Sequence, residues 1–231
     1  MEYQNQIVVG QLSQVAKLNF YKKTYTHLAI GVLAFIIVEY LFLSSDMIVN
    51  FALSLTQGRM WLLMLGGFML ITNIAEKMAI NSIDRNKQYM GFGLYIIAEA
   101  FIFLPLIYIA INATGSVVLV KQAAILTISL FAGLSMVAMY TKKDFSFIRR
   151  FLTIGFMIAL GLIVAGLLFG FNLGLWFSVG MIVLAAGSIL YQTSNMIHRY
   201  NEEQYVAAAL GLFASLMLLF WYILRILMSR D

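Results

Sequence analysis

The amino-acid sequence predicts an all-α integral membrane protein with seven transmembrane helices. Of its 231 residues, 62% are hydrophobic and only 11% are charged, and the mean hydropathy is +0.91. A soluble domain of this length cannot bury so much apolar surface. A helix needs about 20 mainly apolar residues to cross a bilayer, and seven such runs are separated by short loops. The predicted helices lie at roughly residues 25–43, 60–80, 88–111, 116–140, 147–170, 173–197 and 205–227.

The segment before the first run is polar and mildly basic. We expect residues 1–24 to form a cytoplasmic tail and residues 25–231 to form a single membrane domain. No small-residue cleavage site follows the first run, which indicates an uncleaved helix rather than a signal peptide. Apolar residues recur in the tail roughly as in an amphipathic helix, which would bind a protein partner or lie on the membrane surface. They are Ile7, Val8, Leu12 and Val15.

The first three runs each hold a glutamate, at positions 39, 76 and 99. An ionisable group at the centre of a spanning helix costs at least about 2.5–3.5 kcal/mol to insert. Glu39 and Glu76 lie near helix ends, where contact with the interface is the simpler interpretation. Glu99 lies about eleven residues into its run, roughly 16 Å from the inner end. It is therefore expected to face other helices or a wet cavity, either protonated or paired. Pro105, in the same run, is tolerable because neighbouring helices can satisfy the freed carbonyl.

The fourth run raises the question of an enzyme, because Ser135 lies in a GLSM motif and His198 could act as its base. Met136 stands where such a nucleophile would be followed by glycine, and His198 belongs to a basic helix end, so an intramembrane hydrolase is disfavoured. The chain has no cysteine, two histidines and no HExxH motif. A retinal protein would need a lysine in the last run, and residues 205–224 contain none. We expect no enzymatic activity, no metal and no cofactor.

The sixth run carries four polar residues that helical spacing places on one face. This stripe would be costly against lipid, so we expect it to face the bundle or a cytoplasmic cavity mouth. In the seventh run, Gly211 and Ser215 lie on a face of small residues, which is typical of a tightly packed central helix. Packing is the simpler role for both. The polar stripe consists of Ser188, Gln192, Asn195 and Arg199.

The distribution of basic residues predicts the orientation of the chain. With a cytoplasmic N-terminus and an outside C-terminus, the inside segments hold eleven of the 15 Lys and Arg residues, as the positive-inside rule requires. The basic residues are therefore expected to contact anionic lipid headgroups of the bilayer rather than nucleic acid. The inside set is Lys17, Lys22, Lys23, Lys77, Arg85, Lys87, Lys142, Lys143, Arg149, Arg150 and Arg199, and the outside set is Arg59, Lys121, Arg225 and Arg230.

Four segments of the chain are distinctive: FYKKTYTHLAIGVLAFIIVE (Phe20–Glu39), YMGFGLYIIAEAFIFLPLI (Tyr89–Ile107), TKKDFSFIRRFLTIGFMI (Thr141–Ile158) and LYQTSNMIHRYNEEQYVAAALGLFASLMLLFWYILRI (Leu190–Ile226). They resemble the Bax inhibitor, or TMBIM, family on its bacterial YccA-like branch. The resemblance covers nearly the whole chain, and the loop between the fourth and fifth runs and the hairpin of the sixth and seventh are its most specific parts. It implies a bundle in which six helices surround a central C-terminal seventh, in the bacterial inner membrane.

The resemblance implies two activities, a pH-sensitive calcium leak and the restraint of a membrane-embedded AAA protease. In calcium-leak members an aspartate from helix six and another from helix seven share a proton and gate the path. Gln192 and Ser215 occupy these positions here, and neither titrates, although they can hydrogen-bond to each other. We therefore expect the pH switch to be missing and Glu99 to be the best remaining titratable group. Arg85 is a candidate for the family's cationic latch, or else a topology-setting arginine.

Two functions remain open at this point. A leak for calcium or another cation predicts a hydrated cavity lined by Glu99, Gln192, Asn195 and Ser215. A non-enzymatic modulator of a membrane AAA protease predicts binding of that protease through the N-terminal tail, without ion flux.

Overall fold

The computed structural model describes residues 8–82, 84–141 and 143–229. Ile7 of the predicted tail helix, and Lys142 and Arg230 of the charge distribution, lie outside these residues. Within them the chain forms eight α-helices, of which all but α2 are long and apolar enough to cross a membrane, so the predicted all-α class with seven spans is confirmed. The helices are α1 (Gln14–Leu43), α2 (Asp46–Leu55), α3 (Met60–Asn81), α4 (Arg85–Thr114), α5 (Val118–Thr141), α6 (Arg149–Phe169), α7 (Gly174–His198) and α8 (Tyr205–Met228).

Three short 3₁₀ helices accompany them, at Val9–Gln11, Phe145–Ile148 and Glu202–Gln204. Successive spans alternate in direction, so α8 ends on the same side as the turn between α6 and α7. We call this side the C-terminal face. The opposite side, which holds Val9 and the connection between α7 and α8, is the N-terminal face.

The first helix begins eleven residues before the predicted start of the first run. The Ser13 hydroxyl caps it by accepting the Ala16 N–H at 3.3 Å, and the helix continues through the basic segment because polar residues at a membrane surface do not prevent helix formation. The expected amphipathic tail helix is not formed by the described residues: Val8 and Leu12 precede α1, and Val15 is 69% exposed.

The short helix α2 was not predicted. Its ten residues cannot span a bilayer, and it lies at the C-terminal face between the first two spans. Val49 and Ala52 bury one side of it against Leu104 of α4, while Met47 remains 79% exposed. A hydropathy search for runs of about 20 residues does not detect a helix of this length.

The last helix is the most buried of the seven spans. In its most apolar stretch 83% of the residues are buried inside the protein, against 61% for α4 and 17–28% for the others. It packs against α1, α3, α4, α5 and α7. Phe213 illustrates this packing, since its ring contacts Phe35 of α1 and Phe92 and Tyr95 of α4 in edge-to-face geometry. This is the burial expected of a helix in the interior of a bundle.

The backbones of α3 and α4 approach each other closely at Gly91. A Cβ atom at this position would lie 2.5 Å from the Ala75 carbonyl oxygen and 2.9 Å from the Ala79 nitrogen, both backbone atoms. We expect Gly91→Ala to lower the stability of the protein by about 1–3 kcal/mol, because the two helices must separate. Gly93→Ala is the matched control: nothing lies within 4 Å of its Cβ position, and a helical alanine is favoured by up to about 1 kcal/mol. Thermal unfolding in detergent measures both, and equal unfolding temperatures for the two variants would contradict the prediction.

Candidate functional site

An open cavity of about 860 Å³ is lined by α3, α4, α6, α7 and α8 and the turn between α6 and α7. It extends along α3 from Trp61 to Glu76, a rise of roughly 22 Å, so it runs from near the C-terminal face deep into the membrane interior. Most of its wall is apolar. Its polar and ionisable residues are Glu76, Tyr95, Glu99, Asn172, Ser188, Gln192, Ser215, Tyr222 and Arg225.

Positions 192 and 215 both line this cavity, where α7 and α8 pack against each other. The hydrogen bond across this seam joins Ser188 and Ser215, with 2.8 Å between the hydroxyl oxygens. The Ser215 hydroxyl donates its proton to the Gly211 carbonyl at 2.9 Å, so Ser188 is the donor between the two serines. The seam is therefore held by uncharged groups.

The hydrogen bond that the sequence suggested between Gln192 and Ser215 is not the one that the structure forms. Gln192 lies over Gly211, one helical turn from Ser215, and its side-chain oxygen would be 2.9 Å from a Cβ atom at position 211. Because Gly211 has no side chain, the Gln192 amide can occupy this space. Helical spacing placed Gln192 and Ser188 on one face correctly, but the residue on α8 that each one meets depends on the register of the two helices.

The deep end of the cavity holds two carboxyl groups. Glu99 of α4 is 5% exposed, and Glu76 of α3 is half-buried. Tyr95 lies one turn before Glu99 on the same face and interacts electrostatically with both carboxyl groups. The expectation that Glu99 faces a cavity or other helices agrees with this position. Glu76 lies five residues before the end of α3 and also lines the cavity, and its interfacial location stays a prediction.

The expectation that Glu39 is a solvated or interfacial side chain is wrong. Its side chain is 5% exposed, and neither carboxyl oxygen has a hydrogen-bond partner among the described residues. Glu39 lies on the buried face of α1 that also carries Leu28 and Phe35, so the pattern of that face, rather than the distance to the helix end, decides its burial. It is not part of the cavity lining.

Asn195 is buried but does not line the cavity. Its backbone carbonyl accepts the N–H groups of Arg199 and Tyr200, at 2.8 and 3.2 Å, and so ends α7 at the N-terminal face. Burial raises the pKa of Tyr200 to about 12, so its hydroxyl stays neutral at physiological pH. The Val9 N–H donates to the Tyr200 carbonyl at 2.9 Å. The N-terminal segment is thereby fastened to the α7–α8 connection.

Arg85, the latch candidate, contacts the α7–α8 connection instead of positions 192 and 215. Its guanidinium forms an ion pair with Glu203, donates to the Glu203 backbone carbonyl at 3.1 Å, and lies 4.6 Å from the centre of the Tyr205 ring. Tyr89, one turn further along α4, places its hydroxyl 3.1 Å from the Tyr205 hydroxyl. Arg85 therefore joins the start of α4 to the start of α8.

We expect Arg85→Gln to lower stability by about 1–2 kcal/mol, because it removes a partly exposed ion pair and a cation–π contact together. Glu203→Gln should cost less, since it leaves the Tyr205 contact in place. Thermal unfolding of both single variants and the double variant gives the coupling free energy, expected at about 0.2–1 kcal/mol. Lys87→Gln, two residues away and exposed, is the control, and an equal loss there would refute the role of the contacts.

Among the described residues, no three His, Asp or Glu side chains gather into a group that could hold a metal ion. The residues that sequence reasoning missed are the aromatic walls of the cavity, chiefly Trp61 and Trp221, and Arg225 near its mouth. In the sequence, each of these residues is typical of a membrane interface. Only the packing of α3, α6 and α8 shows that they share a cavity with Glu99.

The model of the protein family described as "Inhibitor of apoptosis-promoting Bax1" matches residues 17–231. The chain belongs to the Bax inhibitor family. The resemblance inferred from the sequence is thus confirmed, and with seven long apolar helices the chain is a multi-pass membrane protein.

Relatives in this family come from bacteria and from mouse. The chain is 36% identical over 139 residues to "Uncharacterized protein PA2604" of Pseudomonas aeruginosa, covering 60% of this chain and 58% of that protein. It is 29% identical over 155 residues to "Protein lifeguard 4" of Mus musculus (64% and 63%), and 37% identical over 94 residues to "Modulator of FtsH protease YccA" of Escherichia coli (39% and 42%). Each match spans less than two thirds of the relative's own length.

Proposed function

We propose that this protein is a cation leak of the bacterial inner membrane, with a cytoplasmic N-terminus, an outside C-terminus and the cavity as its cation pathway. The observation that carries the proposal is the buried carboxyl group of Glu99, near the middle of α4, in a cavity that Glu76 also lines. Ionisable groups at such depth are costly and are typical of ion or proton pathways. The nonpolar length of the cavity makes the leak slow, and the carboxyl groups make it prefer cations.

Calcium is a candidate ion, but the cavity favours weak selectivity. Ca²⁺ takes 6–8 oxygen ligands at about 2.3–2.6 Å, and two carboxyl groups, two amides and four hydroxyls spread along several helices do not provide such a cage. A cation would therefore pass with low affinity. Since Gln192 and Ser215 do not titrate, this part of the pathway would not respond to pH.

Flux from the purified full chain in proteoliposomes tests the leak. We expect protein-dependent entry of Ca²⁺ and of K⁺, with a ratio near unity, and little change at acid pH beyond that caused by the carboxyl groups of the cavity. Protein-free vesicles and vesicles with heat-denatured protein are the controls. If vesicles with correctly folded protein showed flux of neither Ca²⁺ nor K⁺, the proposal would be overturned.

A second function, modulation of a membrane-embedded AAA protease, is favoured by the similarity to a protein named as a modulator of FtsH protease. The N-terminal segment is the candidate binding surface. Val9 is buried against the α7–α8 connection, but Val15 and Leu18 on the first turns of α1 are 69% and 57% exposed. Co-purification of the full chain with the protease, and its loss in a Val15→Ser, Leu18→Ser variant, tests this function. Retained binding by that variant would exclude these residues as the contact.

A further inference from the structure

We propose that the cavity binds a hydrophobic organic cation, an amphipathic molecule whose positive group pairs with Glu99 and Glu76 and whose apolar body fills the space between the aromatic side chains. The inference rests on the same cavity as the proposed leak and assigns it a ligand class. It is tested by binding rather than by flux, so the two can fail separately.

The aromatic wall is the first support. The Trp61 and Trp221 rings stack with 6.4 Å between centroids, and Phe103 meets Trp221 edge-on at 4.9 Å. Phe68 and Phe156 line the same space from α3 and α6. Sites for organic ligands are concave, mainly apolar and of roughly 300–1,000 Å³, and aromatic faces attract cations. A volume of about 860 Å³ walled in this way fits an organic molecule.

The charge at the deep end is the second support. Glu99 is 5% exposed, so its ionised form pays a large desolvation cost unless a positive group lies beside it. Tyr95 adjoins it and also interacts with Glu76, and Arg225, the cationic residue of the cavity lining, lies at the other end near the C-terminal face. This polarity orients a ligand with its positive group at Glu99 and its apolar body toward Trp61 and Trp221.

The side chains that line the cavity suit an organic cation better than a metal ion. No group of three His, Asp or Glu side chains exists among the described residues, whereas one quaternary or protonated amine needs only one or two carboxylates and a surrounding apolar surface. The α6 wall is also the least buried span, at 17%. Since the described residues of α6 pack against α7 and not against α3 or α4, the cavity lies close to lipid, from which a membrane-soluble amphiphile can enter.

Tetraphenylphosphonium and tetraphenylborate provide a matched pair of probes, because they have nearly the same size and shape and opposite charge. Binding to the full chain in nanodiscs is followed through tryptophan fluorescence, with empty nanodiscs to subtract partition into lipid. The chain has three tryptophans, of which Trp61 and Trp221 line the cavity and Trp176 is 84% exposed. We expect saturable quenching by the cation only, retained in Trp176→Leu and reduced in both Trp61→Leu and Trp221→Leu.

Removing a buried partner of the ligand charge should weaken binding of the cation by at least about tenfold. Glu99→Gln is the primary variant, and Glu76→Gln replaces it if the first does not fold. Glu39→Gln, equally buried but outside the cavity, should bind as the unaltered protein does. Equal binding of both probes, or unchanged binding in both cavity variants, would overturn the inference. If the protein binds the cation but shows no flux, the leak is rejected and the ligand site is retained. If it shows flux but no binding, the ligand site is rejected and the leak is retained.

Discussion

Replacing Glu99 by glutamine is expected to reduce cation flux through the protein by about tenfold, which corresponds to the loss of roughly 1.4 kcal/mol of favourable electrostatic interaction. The carboxyl group lies at the deep end of the cavity, where a cation has left most of its hydration water. Glutamine keeps the size and the hydrogen-bonding oxygen of the side chain and removes only its capacity for negative charge. The change in flux therefore reports the charge rather than the packing.

The control for this experiment is Glu39→Gln. Glu39 and Glu99 have the same fractional exposure, 5%, and both lie in spanning helices, but only Glu99 lines the cavity. Flux of Ca²⁺ and K⁺ should be unchanged in the Glu39 variant. If both variants lose flux equally, buried carboxyl groups act through stability, and the assignment of Glu99 to the pathway fails.

The helices were predictable because membrane-spanning segments can be recognised from their length and hydropathy. The seven runs were found, although the polar start of α1 was underestimated by eleven residues and α2 was missed, since neither contributes a long apolar stretch. The start of α1 is set by one hydrogen bond to the Ser13 hydroxyl. A mean hydropathy over about 20 residues does not detect such a bond.

The site was only partly predictable, because helical periodicity gives the face of a residue and not its partner. Ser188, Gln192 and Asn195 were placed on one face, yet Ser188 meets Ser215, Gln192 meets Gly211 and Asn195 ends the helix. The relative heights of α7 and α8 decide these pairings, and they follow from packing over the whole length of both helices. The same holds for Arg85, whose partner Glu203 is 118 positions away in the chain.

Restoring the two carboxylates that the family resemblance places at positions 192 and 215 should create a pH-dependent leak. In the double variant Gln192→Asp, Ser215→Asp, two acids would lie on adjoining turns of the α7–α8 seam. Two close carboxylates cannot both ionise cheaply, so one of them holds its proton to a higher pH than usual. A shared proton would hold the helices together, whereas full ionisation would separate them and attract cations. We expect flux to rise by about tenfold between roughly pH 5 and pH 8, the consequence of a pKa raised by about two units or more.

The single variants separate this coupling from the mere addition of charge. Gln192→Asp and Ser215→Asp each introduce one acid without the other, so each should show a weaker pH dependence centred at lower pH. Ser215→Asp also removes the acceptor of the Ser188 hydroxyl hydrogen bond and the donor to Gly211, and its carboxylate, once ionised, can accept from Ser188 in their place. The thermal stability of the double variant should fall as pH rises, because ionisation of the second acid is resisted in the folded state and not in the unfolded one. If the flux and the stability of the double variant equal the sum of the effects of the single variants, the two acids do not share a proton. Positions 192 and 215 would then be too far apart, because they lie at different heights along the α7–α8 seam.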